Sequence, residues 1–177
     1  VPGVLCIDAE LRIRYLPEQL EGLTLQGGLV YAETQYDDFE AVDFFAPPRL
    51  PGSTISFAPR WSGTLAATYE TPFISNWDAR FNVSSRFTSR YNTGSNLDPL
   101  KEVDDLVVVN ARMAFYSDNS PFELEVWAQN LFDEDYYELA FDTPLQGNAA
   151  TQTAPGTAVG AFLSQPLTFG ATARVRF

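Results

Sequence analysis

Leu167-Thr168-Phe169-Gly170-Ala171-Thr172-Ala173-Arg174-Val175-Arg176-Phe177 closes the chain, and its two parities have opposite chemistry. Leu167, Phe169, Ala171, Ala173, Val175 and Phe177 are apolar, while the positions between them hold threonine, glycine and arginine. Successive side chains of a strand point to opposite faces, so this stretch reads as a strand with one greasy and one wet face, whereas a helix would mix the two sets. Ending on an aromatic residue, it points first to the last strand of a membrane β-barrel.

The same period recurs upstream. Ile7, Ala9, Leu11, Ile13 and Tyr15 alternate with Asp8, Glu10, Arg12 and Arg14, and a turn follows at 17–22. The second strand sets Leu23, Leu25, Gly27, Leu29 and Tyr31 on one parity, and an acidic, proline-containing loop from about Asp37 to Ser56 follows. The third carries Phe57, Trp61, Leu65, Ala67 and Tyr69 opposite Arg60, Ser62, Thr64 and Glu70, with a turn over Thr71 to Asn76. The fourth places Trp77, Ala79, Phe81, Val83, Phe87 and Tyr91 against Asp78, Arg80, Asn82, Ser84, Arg86, Thr88 and Arg90. After a loop at 92–102 come strands on Val107, Val109, Ala111, Met113 and Phe115, then on Phe122, Leu124, Val126 and Ala128. From Glu138 to Gln165 the period is lost, which predicts a long loop. The pattern specifies an all-β fold, an antiparallel up-and-down meander of about seven strands whose connections alternate long and short.

Alternation alone fits two solvents for the apolar face: lipid, or the core of a soluble β-sandwich. Several segments keep their period for roughly 10 to 14 residues, longer than the ~5–6 of a soluble strand and enough for the ~9–11 that cross a bilayer obliquely. Aromatics fall in two bands. Tyr15, Tyr69, Trp77, Phe115, Phe122 and Phe177 lie towards the short turns, and Tyr31, Phe57, Trp61, Phe87 and Tyr91 towards the long loops, with Ala, Gly, Val and Leu between. Two interfacial girdles around an aliphatic belt suit lipid. Every arginine except Arg49 is on the polar parity; in the meander register Glu123 and Glu125 reach Arg174 and Arg176, an ordinary cross-strand pairing.

Composition removes other classes. A net charge of -12 with 11 Lys plus Arg leaves no basic surface for nucleic acid. With one cysteine, Cys6, and no histidine, an intrachain disulfide, a histidine-ligated metal and a histidine triad are excluded. Nothing pairs a nucleophile with a base and no phosphate loop follows a strand, so the reading contains no catalytic residue and no cofactor. Asp37, Asp38, Glu40 and Asp43 read as a solvated rim, their spacing matching no calcium loop, and Phe39, Phe44, Phe45, Phe141 and Phe162 as aromatics that fold the loops on themselves. Val1-Pro2-Gly3-Val4 has no signal-peptide features, and the chain reads as a fragment.

At Trp127-Ala128-Gln129-Asn130-Leu131-Phe132-Asp133-Glu134-Asp135-Tyr136-Tyr137 the sequence resembles the penultimate-strand signature of TonB-dependent outer-membrane receptors, carried here by Asn130, Leu131, Phe132, Asp133 and Tyr136. Phe57-Ala58-Pro59-Arg60-Trp61 and Tyr91-Asn92-Thr93-Gly94 are similar to late strands and loops of the same family. The resemblance implies a barrel of about 22 strands with a plugged lumen, of which residues 1–177 form the C-terminal portion. It implies that Phe169, Val175 and Phe177 form the C-terminal signal read by the barrel-assembly machinery. The plug, the early strands and the box that binds the TonB complex would lie outside this chain, and outer-membrane lipid would surround it. The activity implied is energised uptake of a scarce solute, of siderophore, vitamin or carbohydrate class, across the outer membrane of a Gram-negative bacterium. A passive pore or structural barrel is the alternative, since it would share the ending but lack the plug. No residue is assigned to ligand.

Overall fold

A computed structural model of the chain describes residues 4–37, 52–94, 98–143 and 159–176. The alternating segments form strands β1 (Val4–Tyr15), β2 (Leu23–Tyr36), β3 (Trp61–Ile74), β4 (Trp77–Thr88), β5 (Tyr91–Asn92), β6 (Glu102–Val103), β7 (Leu106–Tyr116), β8 (Phe122–Gln129), β9 (Tyr137–Asp142), β10 (Val159–Leu163) and β11 (Thr168–Val175). Seven of them make one antiparallel sheet in the order β1-β2-β3-β4-β7-β8-β11, the predicted meander. β5 pairs with β6 and β9 with β10 in two-stranded sheets.

Because the strand period is two, register decides which side chains share a face. Along the main sheet it aligns the apolar sets strand to strand, with one shift between β3 and β4 at Pro72 to Ile74. The row Tyr15, Leu25, Ala67, Val83, Ala111, Ala128, Phe169 crosses all the strands of the main sheet. The neighbouring row on the other face is Thr24, Thr68, Asn82, Arg112, Trp127, Gly170. The longest strands, β2 and β3, have 14 residues each.

The apolar face is open. Leu65 is 60%, Val107 52% and Phe169 78% exposed, whereas the buried hydrophobic residues among those described are Ala79, Val103, Leu106, Ala114 and Ala140. A soluble sandwich would bury Leu65 and Val107 against a second sheet; a lipid-facing wall leaves them outward. No helix among the described residues is long and apolar enough to cross a membrane. In hydrocarbon only helices and closed barrels satisfy every backbone group, so this sheet fits a bilayer as part of a closed wall.

Four junctions differ from the sequence expectation. The third strand starts at Trp61 rather than Phe57, because Phe57 has φ 60° and Pro59 has no N–H for the ladder. The chain does not turn at Thr71: β3 continues through Pro72 to Ile74 with a register shift that accommodates the proline, and Ser75, at φ 52°, makes the turn. The region 138–165 holds the β9–β10 hairpin instead of lacking strands, its 144–158 lying outside the described residues. The fourth strand likewise stops at Thr88, where the Arg90 N–H leaves the ladder for Asp105 Oδ1 at 2.8 Å and Tyr91 begins the separate β5.

At the first short turn Gly22, at φ 85°, brings its carbonyl to the Glu70 N–H at 3.0 Å, and a Cβ there would overlap the Glu70 carbonyl. Gly63 has a different reason. The Phe87 ring lies over it on the apolar face, filling the space a side chain would take.

Candidate functional site

The polar face carries the arginines, and most are balanced by acids placed across the ladder. Arg80 stands opposite Glu70 and bonds it while its guanidinium lies 4.7 Å from the Tyr116 ring centroid. Arg174 stands opposite Glu123 at 2.7 Å, with Glu125 at 3.4 Å, and Arg176 reaches Glu123 at 3.1 Å, the pairing expected from the meander register. With their arginine ends in solvent, these pairs contribute individually about 1 kcal/mol or less and chiefly favour one register, although the Glu123 and Glu125 side chains are nearly covered.

Two hollows open on this face. One, of about 810 Å³, lies over β1 to β4, where the row Arg12, Gly28, Thr64, Arg86 puts small residues between two arginines. The second, of about 660 Å³, lies at the long-loop edge between the end of β2, residues 52–55 and the start of β3. Its charges are internally paired: Arg60 with Glu33 at 3.1 Å, and Arg90 with Asp104 at 2.8 Å and Glu102 at 3.4 Å. Gly52 and Ser53 return against Tyr36 through backbone bonds of 2.8 and 3.0 Å. Asp37 ends that described stretch; Asp38, Phe39, Glu40, Asp43, Phe44 and Phe45 lie outside the described residues.

The Asn-Leu-Phe-Asp stretch builds a clamp where β8 leaves the sheet. Asn130 is buried at φ 51°, a left-handed conformation that asparagine tolerates better than most residues. Its N–H donates to Asn110 Oδ1 at 3.0 Å. The side-chain amide donates to the carbonyls of Glu134 and Gln165, and its oxygen accepts from the Glu134 N–H, all at 3.0 Å. Asp133, at φ 55°, accepts the Leu167 N–H at 2.7 Å. Two short polar side chains thus tie the exit of β8 to the entry of β11.

Leu131 and Phe132 are exposed, Leu131 extending the ladder through its N–H to the Val109 carbonyl at 2.8 Å. Tyr136 reaches across the sheet: its hydroxyl accepts from Arg86 Nη2 at 3.1 Å, while Ser164 donates its N–H to the Tyr136 carbonyl at 2.9 Å. Asn110, Ser164 and Gln165 complete the clamp, yet no periodicity or spacing marks them. Of the C-terminal residues, Phe169 and Val175 lie on the apolar face, and Phe177 lies outside the described residues.

Beyond the clamp, the β9–β10 hairpin docks on the loop after β5. The Ala140 N–H donates to Thr93 Oγ1 at 3.1 Å, which donates to the Lys101 carbonyl at 3.0 Å, and Thr93, Ala140, Lys101 and Val103 are buried together. Phe141 and Phe162 pack against each other with centroids 5.8 Å apart and ring planes tilted by 44°, as the loop-packing reading of these two aromatics expects. Among the described residues no cluster of His, Cys, Asp and Glu could hold a metal ion.

This wall, apolar and exposed on one face and lined with arginine on the other, has counterparts. Residues 7–131 match the model of the TonB dependent receptor-like β-barrel family. The chain belongs to that family. Its receptor sheet superposes on the ferric yersiniabactin uptake receptor from Yersinia pestis with a TM-score of 0.74 at 11% identity, covering 99% of this chain and 24% of that one. The ferric citrate transporter in its unliganded form gives 0.69 at 18% identity, covering 99% and 25%. A siderophore receptor from Acinetobacter baumannii gives 0.65 at 13%, covering 98% and 22%. No curated protein matches the chain. The receptor chain spans about a quarter of the length of these solved receptors, and at such identities the superpositions establish the fold.

Proposed function

We propose that residues 1–177 are the C-terminal portion of the barrel of an outer-membrane receptor of a Gram-negative bacterium that takes up a scarce solute with energy from the TonB system. The observation that carries this reading is the family match over residues 7–131, joined to a sheet whose apolar face is exposed across every strand. The polar face then looks into the lumen, the short turns lie on the periplasmic side and the clamp and hairpin on the outer side. β1 and β11 form the edges of the described sheet, and the rest of the wall and the plug come from the remainder of the receptor. The solute belongs to the siderophore, vitamin or carbohydrate class; the solved counterparts named for ferric compounds support the first of these.

The test is uptake by whole cells carrying or lacking the full-length receptor. Accumulation of a ferric siderophore that requires the receptor and stops when the TonB system is removed supports the reading. Accumulation independent of the TonB system would establish a passive pore instead. In the same reading Phe169, Val175 and Phe177 present the assembly signal, so deleting Phe177 lowers the amount of full-length receptor inserted in the outer membrane, measured in membrane fractions.

A further inference from the structure

The arginines divide into two groups. Arg80 and Arg174 face an acid directly across the ladder. Arg86 does not: its ladder neighbours are Thr64 and Val108, and its bonded partner among the described residues is the neutral Tyr136 hydroxyl. Arg14 makes no hydrogen bond or ion pair among the described residues, and its ladder neighbour is Gln26. Both line the larger hollow with Arg12, whose charge is balanced by Glu10 at 2.6 Å. Glu10 is the one acid among the lining residues, so the hollow keeps an excess of two positive charges in a chain whose net charge is -12.

The floor is shaped to leave room between these charges. Arg12 and Arg86 share one row but lie three strand spacings apart, about 14 Å at ~4.8 Å per spacing. Gly28 and Thr64 stand between them, and the adjoining floor is Ser62 and Ala66. The hollow so framed has two hydroxyl residues, Ser62 and Thr64, on its floor and Arg12, Arg14 and Arg86 in its lining, Arg12 bonded to Glu10 and Arg86 to the Tyr136 hydroxyl. Thr88 Oγ1, on the wall, is buried with no hydrogen-bond partner. Planar forks recognise carboxylate and phosphate oxygens in preference to neutral groups.

We propose that this hollow binds an oxyanion, a carboxylate or phosphate group brought into the lumen from outside residues 1–177. The proposal rests on the barrel reading, which turns this face to the lumen. The shared chemistry has two sources: a small anionic solute passing through the receptor, or an acidic side chain of another part of the same receptor.

The test uses the full-length receptor, folded in neutral detergent at low ionic strength, with succinate and inorganic phosphate as probes in calorimetric titration. Folding of each variant is checked by its heat-dependent migration in gels. For a solute source, the unaltered receptor binds at least one probe. Arg86→Gln then weakens it about tenfold or more, and Gly28→Leu, which fills the floor with the charges kept, abolishes binding. For an internal acid, neither probe binds, and Arg86→Gln lowers the melting temperature by several degrees more than Tyr136→Phe, which removes only the hydroxyl partner of Arg86, while Arg112→Gln, between Asn82 and Trp127, does not. The proposal is overturned if neither probe binds and Arg86→Gln melts as the unaltered receptor, as Tyr136→Phe or as Arg112→Gln. It is equally overturned if probe binding survives Arg86→Gln and Gly28→Leu. Equilibrium binding of these probes needs no energised membrane, so a negative uptake experiment leaves this result separate.

Discussion

Replacing Asn130 with alanine removes the clamp between β8 and β11 at its centre. The side chain makes three hydrogen bonds, to Glu134 twice and to Gln165, in a buried position. At a net ~1 kcal/mol each their loss costs about 3 kcal/mol, and holding alanine at φ 51° adds about 1 kcal/mol more. Because the bonds join loop to loop at the end of the sheet, the loss is expressed as local opening rather than global unfolding. At a tenfold change per 1.4 kcal/mol, hydrogen exchange at the amides of Glu134, Ser164 and Leu167 should accelerate by roughly two to three orders of magnitude. Mass spectrometry of the folded full-length receptor reads these amides, with the centre of β7 as the internal standard. Asn130→Gly separates the terms, since it keeps the left-handed backbone and loses only the bonds. Asn130→Asp keeps the acceptor for Glu134 N–H and should fall between. Unchanged exchange at Glu134 and Leu167 in the alanine variant would refute the clamp.

Val83→Arg should sharply reduce the folded, inserted receptor, since an arginine on the lipid face at mid-bilayer costs ~2–4 kcal/mol, whereas Ser84→Arg, one residue on, faces the lumen and should be tolerated; equal yields from refolding into vesicles would show the facing to be wrong. Gly63→Val should be destabilising because its side chain meets both the Phe87 ring and the Gly28 backbone carbonyl of the neighbouring strand, so pairing it with Phe87→Ala should recover only the part of the loss in melting temperature that the ring causes. Gly22→Ala should lower stability more than the ~0.5–1 kcal/mol usual for such a change run in reverse, as its methyl meets the Glu70 carbonyl, read as a reduced midpoint in urea unfolding. Glu123→Gln should cost about 1 kcal/mol, because Arg174 keeps Glu125 and both arginines are largely in solvent, although Arg176 loses its carboxylate partner; a loss of several kcal/mol would show the nearly covered Glu123 carboxylate to be dry.

The family signature illustrates how far residue types speak without coordinates. Asn130 and Asp133 are recognisable in the chain, but the reason for them is not: their partners Gln165 and Leu167 are more than thirty positions away, and the bonds run to backbone groups, which leave no mark on neighbouring residue types. The same holds for the docking of Ala140 on Thr93, and for the hairpin at β9 and β10, whose short strands pack on a loop and so lack a two-sided pattern.

What the sequence by itself determined is the wall: a period of two, repeated in seven segments between Ile7 and Val175, places apolar and polar sets on opposite faces, and because a slip of one residue would invert every side chain, the pattern also selects the register seen in the Tyr15 to Phe169 row. Charge balance across that register was legible in part, through Glu123 and Arg174. Only the tertiary structure decided where balance is withheld. Arg14 and Arg86, which no acid among the described residues balances, are distant in sequence and line one hollow because β2 and β3 place Gly28 and Thr64 between β1 and β4, and such a meeting depends on strand order across the sheet, which local alternation does not encode.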